Sequence, residues 1–319
     1  MSASNRAALV NKTYKVLKKY FKPVKPPTDR TLLEHLLYAC CLENAPFEAA
    51  DEAFARLQQS FFDWNEVRVT TVAELAEHMP SVPDAKTAAA HLKRCLQSVF
   101  ETHYAFDIEF LHKQNLGKSV EDLEKIKGTT PFSVAYVAQN GLGGHAIPLC
   151  AGTLGVLEVL GLVNENDAKK HRVPNLERSI PKSKGTEFGS LLHQLGAELH
   201  AAPQSHKART VLLEIDPDAK ARLVAWSERM AARAEAVRSE RPPVKERKSA
   251  APAAPPMAQG EAAPPAKPSA KPPTPSAKPP TPPAKPTPAR RKKTSAREAG
   301  EDVTTLKSPT KQLTRKKPL

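Results

Sequence analysis

Lys127, Gly128, Thr129, Thr130 and Ser133 fall within one short stretch, KGTTPFS, between two apolar, helix-like runs. In a tight turn between helices, residues of these types can hold an anion. Successive backbone N–H groups converge on one phosphate, the positive end of the following helix adds attraction, and Lys127 brings a charge. Gly128 lets the backbone come close, while Thr129, Thr130 and Ser133 can donate hydroxyl hydrogen bonds. Pro131 suits the first turn of the second helix, where its missing N–H costs nothing. The same pattern also describes an ordinary helix-turn-helix corner with no ligand.

Other chemistry-bearing residues are less organised. Cys40, Cys41, Cys95 and Cys150 sit inside apolar runs such as LLEHLLYACCLENA and read as small buried hydrophobes in a reducing compartment. The adjacent pair Cys40 and Cys41 leaves a redox device as the alternative. His200, His206 and Asp216 follow no compact zinc spacing.

The elements that must position the turn are helices. Val10, Tyr14, Leu17 and Phe21 repeat at helical spacing, with Arg6, Lys12, Lys15, Lys18, Lys19 and Lys22 on the other faces. This basic amphipathic segment reads as a packing helix with a solvated face; a membrane-surface helix or organelle address is the alternative. Asp29 is expected to cap a helix through Leu42, and Pro46 to open one through about Ser60. Thr71 with Glu74 forms a capping box, and Asp84 caps a long helix through about Thr102 with Ala88, His91, Leu92, Cys95 and Val99 along one side. Ser119 and Asp122 start a short helix leading into the turn at Gly128, and a second runs from Pro131 to Gln139. A glycine-rich turn (Gly141, Gly143, Gly144) follows, then a helix from Pro148 to about Leu160, apolar on every face and so expected at the centre of the core. No stretch suits a membrane span: Pro148, Glu158 and three glycines break the nearest candidate, Ala146 to Val163. No secretory signal is recognisable, and a cytoplasmic location is the expectation.

The pattern IKGTTPFSVAYVAQNGLGGHAIPLCAGTLGVL, Ile126 to Leu157, resembles the helix-hairpin-helix of the endonuclease III-like DNA glycosylases. The family's hairpin, leucine-proline-glycine-valine-glycine, two variable residues and threonine-alanine, overlays Ile126 to Val134 without a gap. The resemblance implies that the family's Schiff-base lysine falls on Phe132 and its helix-start aspartate on Ala151. A phenyl ring cannot attack an anomeric carbon, and a methyl group cannot stabilise a cationic sugar or take up a proton. The second hairpin glycine becomes Thr130, which would be strained if that position takes a positive φ.

Helix order supports the same resemblance over roughly Arg30 to Val163. LLYACCLENAPFEAADEAFARL is similar to the family's leucine-rich helix, loop and DNA-directed helix, and DWNEVRVTTVAELAEHM to the segment before the helix that brackets the lesion pocket. The implied architecture is an all-α, two-half helical fold. Residues 30–163 would form one half, residues 1–29 with 164–236 the other, and 237–319 a tail. Many members carry a four-iron cluster on four cysteines; LLHQLGAELH resembles the helix before the first, which places the four positions on His200, Lys207, Thr210 and Asp216. None supplies a thiolate, so no iron-sulfur cluster or other cofactor is expected.

Charge is concentrated in the tail. Of the formal net charge of +14, residues 241–319 supply +13, from 18 Lys+Arg and 5 Asp+Glu. They also hold 19 of the 31 prolines and no Phe, Tyr or Trp, so they cannot bury enough apolar surface to offset ordering entropy, and a disordered tail is expected. The near-repeats AKPSAKPPTPSAKPPTPPAKPTPARRKK make an extended polycation, similar in composition to the tails of linker histones. Arg290, Arg291, Lys292, Lys293, Lys311, Arg315, Lys316 and Lys317 are its candidate phosphate contacts. Proline-rich runs also serve as ligands for proline-recognition domains.

Three functions follow as expectations. The first is a non-catalytic DNA-binding protein, nucleoid-associated, acting on double-stranded DNA, damaged or distorted duplex included. The second is an active base excision repair enzyme using displaced groups, with Lys125, Lys127 and Glu158 the nearest. The third is a scaffold whose proline-rich tail recruits partners.

Overall fold

The computed structural model describes residues 3–171 and 173–239, which fall within one compact unit, Met1–Glu246. The described residues are helical throughout, with no strand among them.

Helix α1 (Ala3–Tyr20) turns Val10, Leu17 and the following Phe21 inward and leaves Lys12, Lys15, Lys18 and Lys19 exposed. Helix α2 (Leu32–Leu42) begins at Thr31 rather than Asp29: Thr31 and Glu34 form a reciprocal capping box, which satisfies two N–H groups where Asp29 would satisfy one. Helix α3 (Phe47–Ser60) follows Pro46. Two short helices, α4 (Trp64–Val69) and α5 (Val72–Glu77), are capped by Asp63 and by the Thr71–Glu74 box. Asp84 caps the long α6 (Ala85–His103), and a 3₁₀ turn, Glu109–Lys113, leads on. Helix α7 (Leu116–Lys125) starts from Asn115, not from Ser119 or Asp122. Ser119 lies inside it, buried, with its hydroxyl donating to the Leu111 carbonyl at 2.8 Å.

Helix α8 (Pro131–Asn140) carries the second arm of the hairpin, and α9 (Ala151–Val159) starts three residues later than Pro148. Short α10 (Glu165–Lys169) and α11 (Leu176–Ser179) lead to α12 (Lys182–Ala201), α13 (His206–Ile215) and α14 (Ala219–Ser239). Because α14 runs through residue 239, the helical part extends past the 237 boundary expected for the tail.

Apolar residues gather into two clusters. The first holds Leu32 to Val137 with Cys150; the second holds Val10 to Phe21 and Ile147 to Trp226. The division falls at the glycine turn near residue 141, so α9 packs with α12 and α14 in the second cluster. Gly152 and Gly196 bring α9 and α12 into backbone contact, since a Cβ on Gly152 would overlap the Gly196 carbonyl. The hairpin therefore stands on the first cluster and the start of α9 on the second, with a seam between them.

Candidate nucleic-acid interface

The hairpin is fixed to α6 from below. Gly128 takes φ +101°, and a Cβ there would stand 2.7 Å from both the Arg94 Cβ and the His91 carbonyl oxygen, so only glycine fits without displacement. Its own carbonyl meets His91 Nδ1 at 3.0 Å; a carbonyl only accepts, so Nδ1 carries the proton. One residue earlier, the Lys127 N–H donates to Ser98 Oγ at 3.0 Å.

Thr130 adopts φ −119°, an extended conformation open to any residue, so threonine in place of the family's glycine carries no backbone strain. It serves instead as N-cap of α8, in a reciprocal box with Ser133 and with Pro131 at the first helical position. This cap corrects the expected roles of the three hydroxyls. Thr129 Oγ1 donates to the Ile126 carbonyl at 2.8 Å, Thr130 Oγ1 to Glu43 Oε2 at 2.8 Å, and Ser133 Oγ to the Thr130 carbonyl at 3.0 Å. Thr129 and Ser133 are spent on the loop's own geometry, and Thr130 ties the loop to the end of α2. Among the described residues the Gly128 and Phe132 N–H groups have no protein partner, and the exposed side chains of Lys127 and Arg94 form no ion pair. Phe132 is almost wholly enclosed, so the Gly128 N–H and the side chains of Lys127 and Arg94 are the groups left to meet an anion.

Beside the cap lies Glu43, half-buried. Burial pushes its carboxyl above the usual carboxylate range, opposed by the Thr130 hydrogen bond and by His91, His171 and His193. Such a carboxyl dilutes the positive character of the hairpin when ionised.

Phe132 is 1% exposed, its ring centroid 5.6 Å from that of His193 and 6.2 Å from that of Tyr136. With Leu42, Phe47, Pro148 and His193 it lines a cavity of about 30 Å³ in the seam, room for little more than ordered water. Ala151, the exposed first residue of α9, has no polar atom in its side chain; next to it, the Gly152 N–H is capped across the seam by Asn44 Oδ1 at 3.1 Å. Asn44 reaches it from a left-handed conformation, φ +61°.

Just before Ala151, Cys150 Sγ approaches His193 Nδ1 at 3.9 Å, and His193 Nε2 donates to the Ala45 carbonyl at 2.8 Å. Burial alone would push the Cys150 thiol up, but the contacts with His193 and Thr153 together outweigh it and the net shift is downward. This buried pair ties α9, α12 and the α2–α3 loop together. Its members stand 43 residues apart, and nothing in their spacing announces the contact.

The displaced groups are not gathered into a second catalytic set. Lys125 pairs with Asp122 at 2.7 Å and Glu158 with Arg229 at 2.6 Å, while Lys127 stays exposed on the first arm. The four positions that the resemblance assigns to cluster ligands are scattered in role. His200 is exposed at the end of α12, and the Lys207 ammonium lies 4.6 Å from the Phe21 ring centroid. Thr210 Oγ1 donates to the His206 carbonyl, and Asp216 pairs with Arg222. The segment closes by packing, with Val211, Leu212 and Ile215 wholly buried. These residues do not fit an iron-sulfur cluster: they offer no thiolate, and all four cysteines are buried elsewhere. Among the described residues no three His, Cys, Asp or Glu side chains converge as a metal site, His200, His206 and Asp216 included. No described helix is long and apolar enough to cross a membrane. Arg290, Arg291, Lys292, Lys293, Lys311, Arg315, Lys316 and Lys317 lie outside the described residues.

No family model and no curated protein matches the chain. Several solved structures are similar to it, two of them as follows. A thermostable thymine-DNA glycosylase shares 16% identity, over 66% of this chain and 94% of its own, with a TM-score of 0.47. A trapped endonuclease III–DNA covalent intermediate, an estranged-adenine complex, shares 15% identity, over 70% of this chain and 99% of its own, with a TM-score of 0.49.

Proposed function

We propose that this chain is a duplex-DNA-binding protein on an endonuclease III-like helical scaffold, with that scaffold's usual chemistry removed. The observation that carries the reading is the pairing of an intact hairpin with a sealed Phe132. Gly128, Thr130 and Pro131 keep the tight turn and the helix start that present N–H groups to a phosphate. At the position the resemblance assigns to the attacking amine, a phenyl ring is packed out of solvent instead.

In this reading Lys127, Arg94 and the Gly128 N–H fix register on the backbone, and Thr129, Thr130 and Ser133 hold the loop in shape. The tail cations Arg290, Arg291, Lys292, Lys293, Lys311, Arg315, Lys316 and Lys317 add sequence-independent attraction and keep the protein on the chromosome. A preference for bent, gapped or damaged duplex belongs to the helical unit, because shape readout needs an ordered surface. The protein holds no iron-sulfur cluster; iron and acid-labile sulfide in stoichiometric amount after anaerobic purification would overturn that part.

The test is a titration of the full chain against intact, gapped and abasic duplexes, followed by analysis of the recovered DNA. Binding with no base released and no strand cut supports the reading. Absence of binding at low salt, or turnover that survives loss of any contaminating glycosylase, defeats it.

A further inference from the structure

Positive charge within the helical unit is strongly localised. Residues 1–28 carry seven cations and no anion, whereas residues 29–240 carry 23 cations against 29 anions. Most of those seven lie on α1. Its apolar side is locked in the second cluster, with Val10 1% exposed and Leu17 fully buried, so its lysines form a fixed row rather than a mobile segment.

Lys12, Lys15 and Lys19 follow at i, i+3 and i+7, one above another along about 10 Å of helix, and Lys22 comes just past its end. Neighbouring elements bring more. Lys184 at the start of α12 lies 5.7 Å from the Tyr14 ring centroid, and Lys207 at the start of α13 lies 4.6 Å from that of Phe21. Against these stand two carboxylates: Glu187 pairs with Lys18 at 2.8 Å, and Glu214 is taken by Lys19 and by the Tyr20 hydroxyl. Lys12, Lys15 and Lys22 form no ion pair among the described residues.

We propose that this lysine face of α1, flanked by Lys184 and Lys207, is a second docking surface for the phosphate backbone of duplex DNA, on the opposite side of the seam's division of the core from the hairpin. The inference rests on the reading of the chain as a DNA-binding protein. A regularly charged row fits a regularly charged polymer: phosphates on one strand rise about 3.4 Å each along the duplex axis, so the helical part of the row, laid along that axis, spans roughly three. A protein partner fits less well. Interfaces between proteins centre on apolar or aromatic anchors, and the one large aromatic exposed here is Tyr20, whose hydroxyl is held by Glu214. A lipid surface fits less well too, because the apolar stripe that would insert is buried in the core.

Two measurements on the full chain test this. Lysine-reactive footprinting of the unmodified protein, with and without a short duplex at low salt, is expected to show Lys12, Lys15 and Lys22 protected by DNA. The K12Q/K15Q/K22Q variant, which spares every ion pair, is expected to lower the slope of log K against log salt by about 2–3, near 0.9 per lost contact, with the triple arginine variant keeping the parental slope. If the parent binds duplex while the glutamine variant keeps the parental slope and footprinting shows no protection, this surface is wrong while the reading of the chain as a DNA-binding protein stands. If the parent binds no duplex, both fail. Retention on phosphatidylserine vesicles that depends on these lysines, without protection by DNA, assigns the face to lipid and also overturns the proposal.

Discussion

Gly128 and His91 are locked to one another: the Gly128 carbonyl accepts from His91 Nδ1 at 3.0 Å, and a Cβ on Gly128 would stand 2.7 Å from the His91 carbonyl oxygen. The hairpin cannot move without moving α6. A G128A change would place an L side chain at φ +101° and press it into helix backbone, costing on the order of 2–4 kcal/mol. Urea unfolding should show a clearly lower midpoint with an unchanged slope, and duplex affinity should fall as well. A variant as stable as the parent means that the turn relaxes and that glycine is dispensable.

How much of this was legible before the structure differs from residue to residue, and the reason is range. Thr71 with Glu74, Asp84 before α6 and the α1 stripe are local devices, and they appear where their spacing puts them. Local competition misleads in two places: Thr31 displaces Asp29 because Glu34 completes its box, and Asn115 displaces Ser119 because the latter's hydroxyl is drawn to Leu111. The hydroxyls of the hairpin look available in sequence, yet Thr130 and Ser133 sit three apart across a helix start, which is the spacing of a cap. Asn44 capping Gly152 across 108 residues and the Cys150–His193 contact join parts of the chain whose proximity only the folded seam creates.

Glu43 gives the hairpin a pH dependence of defined sign. Its folded carboxyl is shifted above the ordinary value of 4.5, burial being the largest cause, so the folded state holds that proton more tightly than the unfolded chain does. Its contribution to stability is therefore fully present below pH 4.5 and is lost as pH rises through the folded pKa. An E43Q variant keeps an acceptor for Thr130 Oγ1 but never ionises. It should be more stable than the parent at neutral pH, with the gain shrinking toward acid, and it should bind duplex more tightly near neutrality because a negative charge beside the hairpin is gone. Thermal melts across the acidic to neutral range check the first point; a gain that grows toward acid reverses the assignment.

Borohydride treatment on abasic duplex should leave the chain unmodified, because covalent trapping requires an amine that forms an imine and Phe132 has none. Lys127 is the hairpin amine left exposed, so the informative control is K127Q. A trapped product from the parent that disappears in K127Q would revive the enzymatic reading. Placing a lysine at the position the resemblance points to is not expected to create activity: F132K loses a ring that is 1% exposed and places an ammonium in the seam, at a cost of roughly 3–5 kcal/mol or more.

The most exposed prediction separates the helical unit from the tail. Removing residues 240–319 takes away nearly all of the excess positive charge and leaves every described helix in place. If about 6–10 tail cations engage at once, the full chain should lose ~10³–10⁵ in affinity between ~50 and ~200 mM salt, whereas the truncated chain should follow a far flatter slope. Preference for gapped or bent over regular duplex should survive the truncation, since the turn at Gly128, its free N–H and Lys127 are untouched. Competition titrations of both chains against the two duplex types decide it. A truncated chain that folds but binds no duplex at low salt ends the hairpin reading, and DNA binding then belongs to the polycation alone.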